Sequence, residues 1–225
     1  MQLNQCGIEQ VKNLIFTHMD PDHMEGFRVV EQITLDFRTW EAYPERRIQM
    51  VLPEYLYERL KKVCSAYGPL IDFYESQGFV TSRKFTESIF LNEMKISAIE
   101  VDRGSQVVFV YVFEKEGRRI VYAPCDLKPF PEERPEIQNP DLLVIQPGIF
   151  ETGLKHGFFY PRDHISRKTL YTFEQTLALS RRINARRVLF VHLEEYWNRS
   201  HDDYLAIADK FENISFAYDG FQISV

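Results

Sequence analysis

Short apolar runs alternate with helical stripes over the first third of the chain, and a series of strands follows. Leu14 to Thr17 reads as a strand, with a helical pattern from Met24 to about Ile33 behind it. Arg47 to Leu52 is a second strand, Glu54 to Ala66 a helix, and Leu70 to Gln77 another. From Ser88 to Tyr122 the period shortens: Ile89 to Leu91, Lys95 to Val101, Val107 to Phe113 and Arg119 to Tyr122 read as a meander, with Glu116-Gly117 as a hairpin turn. Pro129, Pro131, Pro135 and Pro140 exclude regular structure before the continuously apolar strand Leu142 to Ile145. Ser166 to Ile183 then carries a helical stripe at Leu170, Phe173, Leu177 and Ile183. Val188 to Val191 is a buried strand, Asp202 to Phe211 a helix, and strands at Ile214 to Phe216 and Phe221 to Val225 close the chain. Strands bracketed by helices in both halves predict an α/β layered sandwich with sheets inside and helices outside, in a single domain over residues 1–225.

Composition narrows the class. At 225 residues, 44% hydrophobic and 27% charged, the chain can bury a substantial core. A net charge of −6 argues against a general nucleic-acid or anionic-membrane binder. Arg118-Arg119, Arg181-Arg182 and Arg186-Arg187 are either solvated faces or local phosphate holders. Cys6, Cys64 and Cys125 form an odd, unpatterned set that fits a reducing compartment, with cytoplasm the simplest assignment. No apolar run is long enough for a membrane span, and the first residues lack the signal-peptide pattern.

The densest chemistry lies in Thr17-His18-Met19-Asp20-Pro21-Asp22-His23, at the junction of the first strand and the following helix. Two readings fit. In one, Asp20 caps the helix, Pro21 takes its first position, and Asp22 puts negative charge where the helix dipole favours it. In the other, His18, Asp20, Asp22 and His23 converge on one point as metal ligands. Three further residues stand at comparable places. Asp126 and His192 follow apolar strands, and His164 opens the helical pattern after Pro161-Arg162-Asp163. A set of such strand ends together with an acidic-histidine turn is a candidate site on rigid elements.

These motifs, in this order, resemble the metallo-β-lactamase-fold hydrolases, in particular the branch of ribonuclease Z and phosphoribosyl cyclic phosphodiesterase. The likeness runs from Thr17-His18-Met19-Asp20-Pro21-Asp22-His23, with Gly26, through Tyr122-Ala123-Pro124-Cys125-Asp126 and Asp163-His164-Ile165-Ser166. It ends at Phe190-Val191-His192 and Tyr218-Asp219-Gly220. It implies an αββα sandwich in which His18, Asp20, Asp22, His23, Asp126 and His192 hold one or two divalent metal ions, zinc, manganese or iron. Asp126 is then the bridging carboxylate, and Asp22 and His164 are the catalytic residues. His164 would protonate the leaving oxygen; its plainer reading is a helix-start histidine bonded to backbone.

Three departures alter the picture. Asp20 stands where the family has a second histidine, and Asp102-Arg103-Gly104 stands where many members carry another. The first metal position therefore uses Asp102, lacks that ligand, or has Arg103 as a stand-in cation. Three or four carboxylates among the ligands shift preference toward manganese or iron. The motif also arrives at residue 18, ahead of which the family has several strands. Either Met1 is internal to a longer reading frame, or one sheet has an exposed edge that predicts partner pairing, a homodimer among the options.

The expected activity is hydrolysis of a small or cyclic phosphodiester by metal-activated water. The alternatives are an RNA-processing nuclease, against which the absence of a Gly- and Lys-rich arm counts, and a non-catalytic metal-binding or scaffold protein. Phe158, Phe159 and Tyr160 either line the substrate pocket or cover the core.

Overall fold

A computed structural model of the chain describes residues 2–104, 106–125 and 127–225. They form two compact units divided between Ile89 and Phe90. In the first unit, Ile48–Pro53 lies between Asn13–Leu14 and Val80–Phe85, and both pairings are parallel. Ile48, Met50, Val51 and Leu52 are fully buried, as a central parallel strand requires. Helices Glu54–Leu60 and Leu70–Ser76 bury Leu56, Leu60, Ile71 and Tyr74. The Phe27 ring lies 5.4 Å from that of Phe16 and 5.0 Å from that of Tyr74.

Boundaries differ from the pattern where local chemistry intervenes. The first strand pairs only at Asn13 and Leu14, and Phe16, Thr17 and His18 run on as buried chain outside the ladder. The helical run after it is broken into Pro21–Met24, a 3-10 turn Glu25–Arg28, and Val29–Thr34. The helix from Glu54 stops at Leu60, and Cys64–Ser65 pairs with Gly68–Pro69 instead of extending it. Val80–Phe85 is a strand the pattern does not announce, because its polar run Ser82-Arg83-Lys84 breaks the alternation.

Beyond the first unit's sheet, a seven-stranded sheet runs in the order Ile214–Phe216, Val188–Phe190, Leu142–Ile145, Arg118–Ala123, Val107–Lys115, Met94–Asp102, Ser88–Leu91, six of its strands lying wholly in the second unit. The meander is antiparallel, and its turn at Glu116 (φ 52) and Gly117 (φ 75) has the two left-handed residues a tight hairpin needs. The other half is parallel: Ala123 registers with Ile145, Ile145 with Phe190, and Phe190 with Phe216. One face of these strands sends Val121, Leu143, Ile145, Val188 and Phe190 into a core shared with Phe173 and Leu177. The other presents Leu142, Val144 and Leu189 to Phe221 and Ile223. The fold is mixed α/β, as the pattern predicts.

Two expectations in this half are corrected. The stripe from Ser166 to Ile183 is not one helix but a 3-10 turn Ile165–Lys168 followed by Phe173–Arg182. Thr172 and Gln175 close a reciprocal capping box that starts the helix at Phe173. Phe221 to Val225 packs its apolar side chains but joins no ladder; the tail is held by Arg187 Nη1 donating to the Ser224 carbonyl at 2.6 Å. Helix His201–Ala208 has a second capping box, with Ser200 Oγ accepting from Asp203 N at 3.2 Å. Ser200→Ala is expected to lower stability by about 1 kcal/mol, read as a shift in urea midpoint with an unchanged m-value.

Candidate metal centre

The parallel ladders decide where the chemistry collects. In the second unit four neighbouring strands end level, so the residues that follow each of them gather along one edge of the sheet: Cys125, Gln146, His192 and Asp219. Open parallel sheets bind ligands at this carboxyl edge. In the first unit the chain leaves Leu14 in the direction of the adjacent strand and reaches His18 after three residues.

Within the first unit the turn holds all four side chains singled out from sequence. His18 is completely buried. Thr17 Oγ1 lies 2.9 Å from its Nδ1, which sets the ring so that Nε2 is 3.4 Å from Asp20 Oδ2. Asp22 Oδ2 lies 3.3 Å from His23 Nε2, and the His18 and His23 ring centroids are 4.0 Å apart. Asp20 has the extended backbone of an N-cap residue, but its side chain makes no capping hydrogen bond. The helix start is served by Pro21 and by His23 N donating to the Asp20 carbonyl at 2.9 Å. The capping reading thus accounts for the backbone of this turn and leaves its carboxylates to the histidines.

In the second unit His192 adopts a left-handed backbone, φ 56, which is uncommon for a residue with a Cβ. Its Nδ1 is 3.0 Å from Glu194 Oε1 and 3.3 Å from Gln146 Nε2. A hydrogen bond with Cys125 first, and with Glu194 second, pushes the imidazolium up to about 11 against the opposing effect of burial. Holding a histidine by Nδ1 on a carboxylate fixes the tautomer that presents Nε2 as the ligating nitrogen. Cys125, Gln146 and Glu194 were not among the sequence candidates. The available signals were that Gln146 follows a fully apolar strand and that Cys125 and Glu194 flank Asp126 and His192. Asp126 itself lies outside the described residues.

A cavity of about 20 Å³, large enough for a water, is lined by Cys125 and Gln146 together with Gly148, Thr169, Tyr171 and Thr176. Gly148 has φ +86, and a Cβ there would stand 2.4 Å from the Tyr171 carbonyl oxygen.

His164 sits at the N-cap of the turn Ile165–Lys168, its Nδ1 accepting from Ser166 N at 3.2 Å. The plain reading of this histidine is therefore realised, and it has a chemical corollary: with Nδ1 as acceptor, the ring proton resides on Nε2. Asp102 is exposed, and its Oδ1 accepts from Gly104 N at 2.7 Å, a local turn bond. Arg103 is half-buried.

The family described as "Beta-lactamase superfamily domain" matches residues 2–193, and the chain belongs to that superfamily. Sequence comparison with curated proteins finds no match. Among solved structures, the metallo-beta-lactamase fold protein YhfI from Bacillus subtilis is similar over 93% of this chain and 76% of its own, with 13% identity and a TM-score of 0.63. A diphosphatase from the PhnP family shares 16% identity over 99% of this chain and 75% of its own, TM-score 0.66. Zn(2+)-bound PqqB from Methylobacterium extorquens shares 14% over 95% of this chain and 73% of its own, TM-score 0.64. At these identities the likeness establishes the metallo-β-lactamase fold.

Proposed function

We propose that the protein is a metal-dependent hydrolase of small or cyclic phosphodiesters, in the ribonuclease Z and phosphoribosyl cyclic phosphodiesterase branch, with residues 1–225 acting as a single domain. The observation that carries the metal reading is the first-unit turn, where Asp20 and Asp22 set their carboxylates against His18 and His23 rather than capping the helix. Two imidazoles and two carboxylates are a donor set suited to a divalent ion. By the family pattern, His18, Asp20, Asp22 and His23 act with Asp126 and His192 as the ligands. The carboxylate-rich set favours manganese or iron, with zinc as the family alternative.

A bound divalent ion supplies a lowered pKa for water and offsets negative charge on the phosphoryl oxygens. The protein's own part is positional. Thr17 and Glu194 hold the His18 and His192 rings by Nδ1. In this reading Asp22, whose side chain is 61% exposed, accepts a proton from the attacking water. His164 offers the Nε2 proton to the departing oxygen.

The test combines metal content by inductively coupled plasma mass spectrometry with hydrolysis of bis(p-nitrophenyl) phosphate. At least one equivalent of metal is expected, with turnover abolished by chelation and restored by Mn²⁺ or Zn²⁺. Stoichiometric metal with no turnover on phosphodiesters, lactams and thioesters would instead favour the scaffold reading.

A further inference from the structure

The amino edge of the first-unit sheet carries an open groove that the metal centre does not use. Arg47 stands just before the strand Ile48–Pro53 and Gly78 two residues before Val80–Phe85. These strands run parallel, so both residues lie at the edge opposite the one where the chain leaves Leu14 for His18. The groove has a volume of about 490 Å³ and is lined by Arg47, Glu75, Ser76, Gln77, Thr81 and Ser82, with Val80 as its one apolar side chain. That is the size of a small-molecule site.

The arginine is built into place. Its Nε donates to the Gly78 carbonyl at 2.9 Å. Gly78 has φ +74, and a Cβ there would stand 3.0 Å from Arg47 Nη2, so glycine supplies both the backbone turn and the room for the guanidinium. Among the described residues no carboxylate pairs with Arg47. Glu75 is half-buried in the last turn of the helix Leu70–Ser76 and likewise has no ion-pair partner among the described residues. The negative end of the helix dipole adds to its attraction for a cation. Two opposite charges that line one groove and are not spent on each other complement a ligand carrying both. The Ser82 hydroxyl oxygen is buried without a hydrogen-bond partner, a condition that calls for a group the protein itself does not supply.

We propose that this groove binds a zwitterion of the free amino-acid class with a polar, uncharged side chain. The ligand carboxylate takes the Nη groups of Arg47, its ammonium takes Glu75, and its side-chain hydroxyl or amide lies among Gln77, Thr81 and Ser82. A guanidinium held by Nε offers a carboxylate a fixed, planar pair of donors. Dianions are disfavoured, because Glu75 repels the second negative charge. The site needs no metal, and its test is independent of the hydrolase reading.

The first measurement is the thermal midpoint of the full chain with L-serine, L-threonine, L-asparagine or L-glutamine at about 10 mM. At least one is expected to raise it. Isothermal titration calorimetry then compares that amino acid with two analogues, its amide, which lacks the carboxylate, and its deamino acid, which lacks the ammonium. Each analogue is expected to bind about tenfold or more weakly. Arg47→Ala removes the preference over the amide and Glu75→Gln the preference over the deamino acid, a pairing of variant with analogue that a merely structural role would not produce. Arg47 is exposed and Glu75→Gln keeps the side-chain shape, so both variants spare the core. Ser82→Ala weakens binding without lowering the midpoint of the ligand-free protein. No stabilisation by any of the four amino acids overturns the proposal, as do equal affinities for the analogues or preferences unmoved by the two charge variants.

Discussion

His192→Asn is expected to strip the protein of tightly held metal and to lower phosphodiester hydrolysis by about 100-fold or more while the fold persists. The expectation follows from the backbone as much as from the ring. His192 has φ 56, and asparagine is among the residues that accept this region most readily, so the imidazole is removed without forcing the chain out of its turn. An alanine at this position would mix loss of a ligand with backbone strain. Glu194→Gln is the graded companion: the Oε1 contact 3.0 Å from Nδ1 becomes a neutral amide, and a roughly tenfold loss in metal affinity follows. Metal content after dialysis, steady-state rates and circular dichroism on both variants check the pair. Full metal occupancy with unchanged rates in His192→Asn would remove this residue from the centre.

Gly148→Ala should be the most destabilising methyl addition among the described glycines, at about 2–4 kcal/mol, or a drop in thermal midpoint of about 5–15 °C. Two independent causes act. The backbone at φ +86 disfavours any Cβ, and that Cβ would stand 2.4 Å from the Tyr171 carbonyl oxygen and 3.0 Å from Thr176 Oγ1. The carbonyl is not free to retreat, because it accepts from Ile149 N at 2.8 Å. Gln146 lies two residues upstream, so the variant should also disturb the support of His192. Differential scanning calorimetry of the variant reads the first effect and metal retention the second. A midpoint within 1–2 °C of the unaltered protein would show that the segment yields, against the usual stiffness of packed interiors.

How much of this was legible beforehand depended on whether information was local. Leu142–Ile145 is legible to the residue because a buried parallel strand is apolar throughout, and Ile214–Phe216 because two buried apolar residues flank the half-buried Ser215. The first-unit turn is legible because its candidate ligands fall within six residues. Val80–Phe85 was missed because its ladder partner, not its own polar sequence, makes it a strand. Gln146 and Glu194 escaped for a related reason: nothing in an isolated Gln or Glu marks it until sheet register and a left-handed turn bring it to a histidine. The helix read from Ser166 was overextended because the Thr172 and Gln175 capping box interrupts an otherwise continuous stripe. Among the described residues no helix is long and apolar enough to cross a membrane.

The level endings of the four parallel strands have an evolutionary consequence. Each is followed within three residues by one of Cys125, Gln146, His192 and Asp219, while the ladder is made by backbone groups that are indifferent to side-chain identity. A lineage can therefore exchange one polar side chain for another at these tips with little effect on the hydrogen-bonded scaffold. Reactivity and foldability are then inherited on largely separate sets of positions, which lets one architecture drift between metals and substrates without passing through an unfolded ancestor.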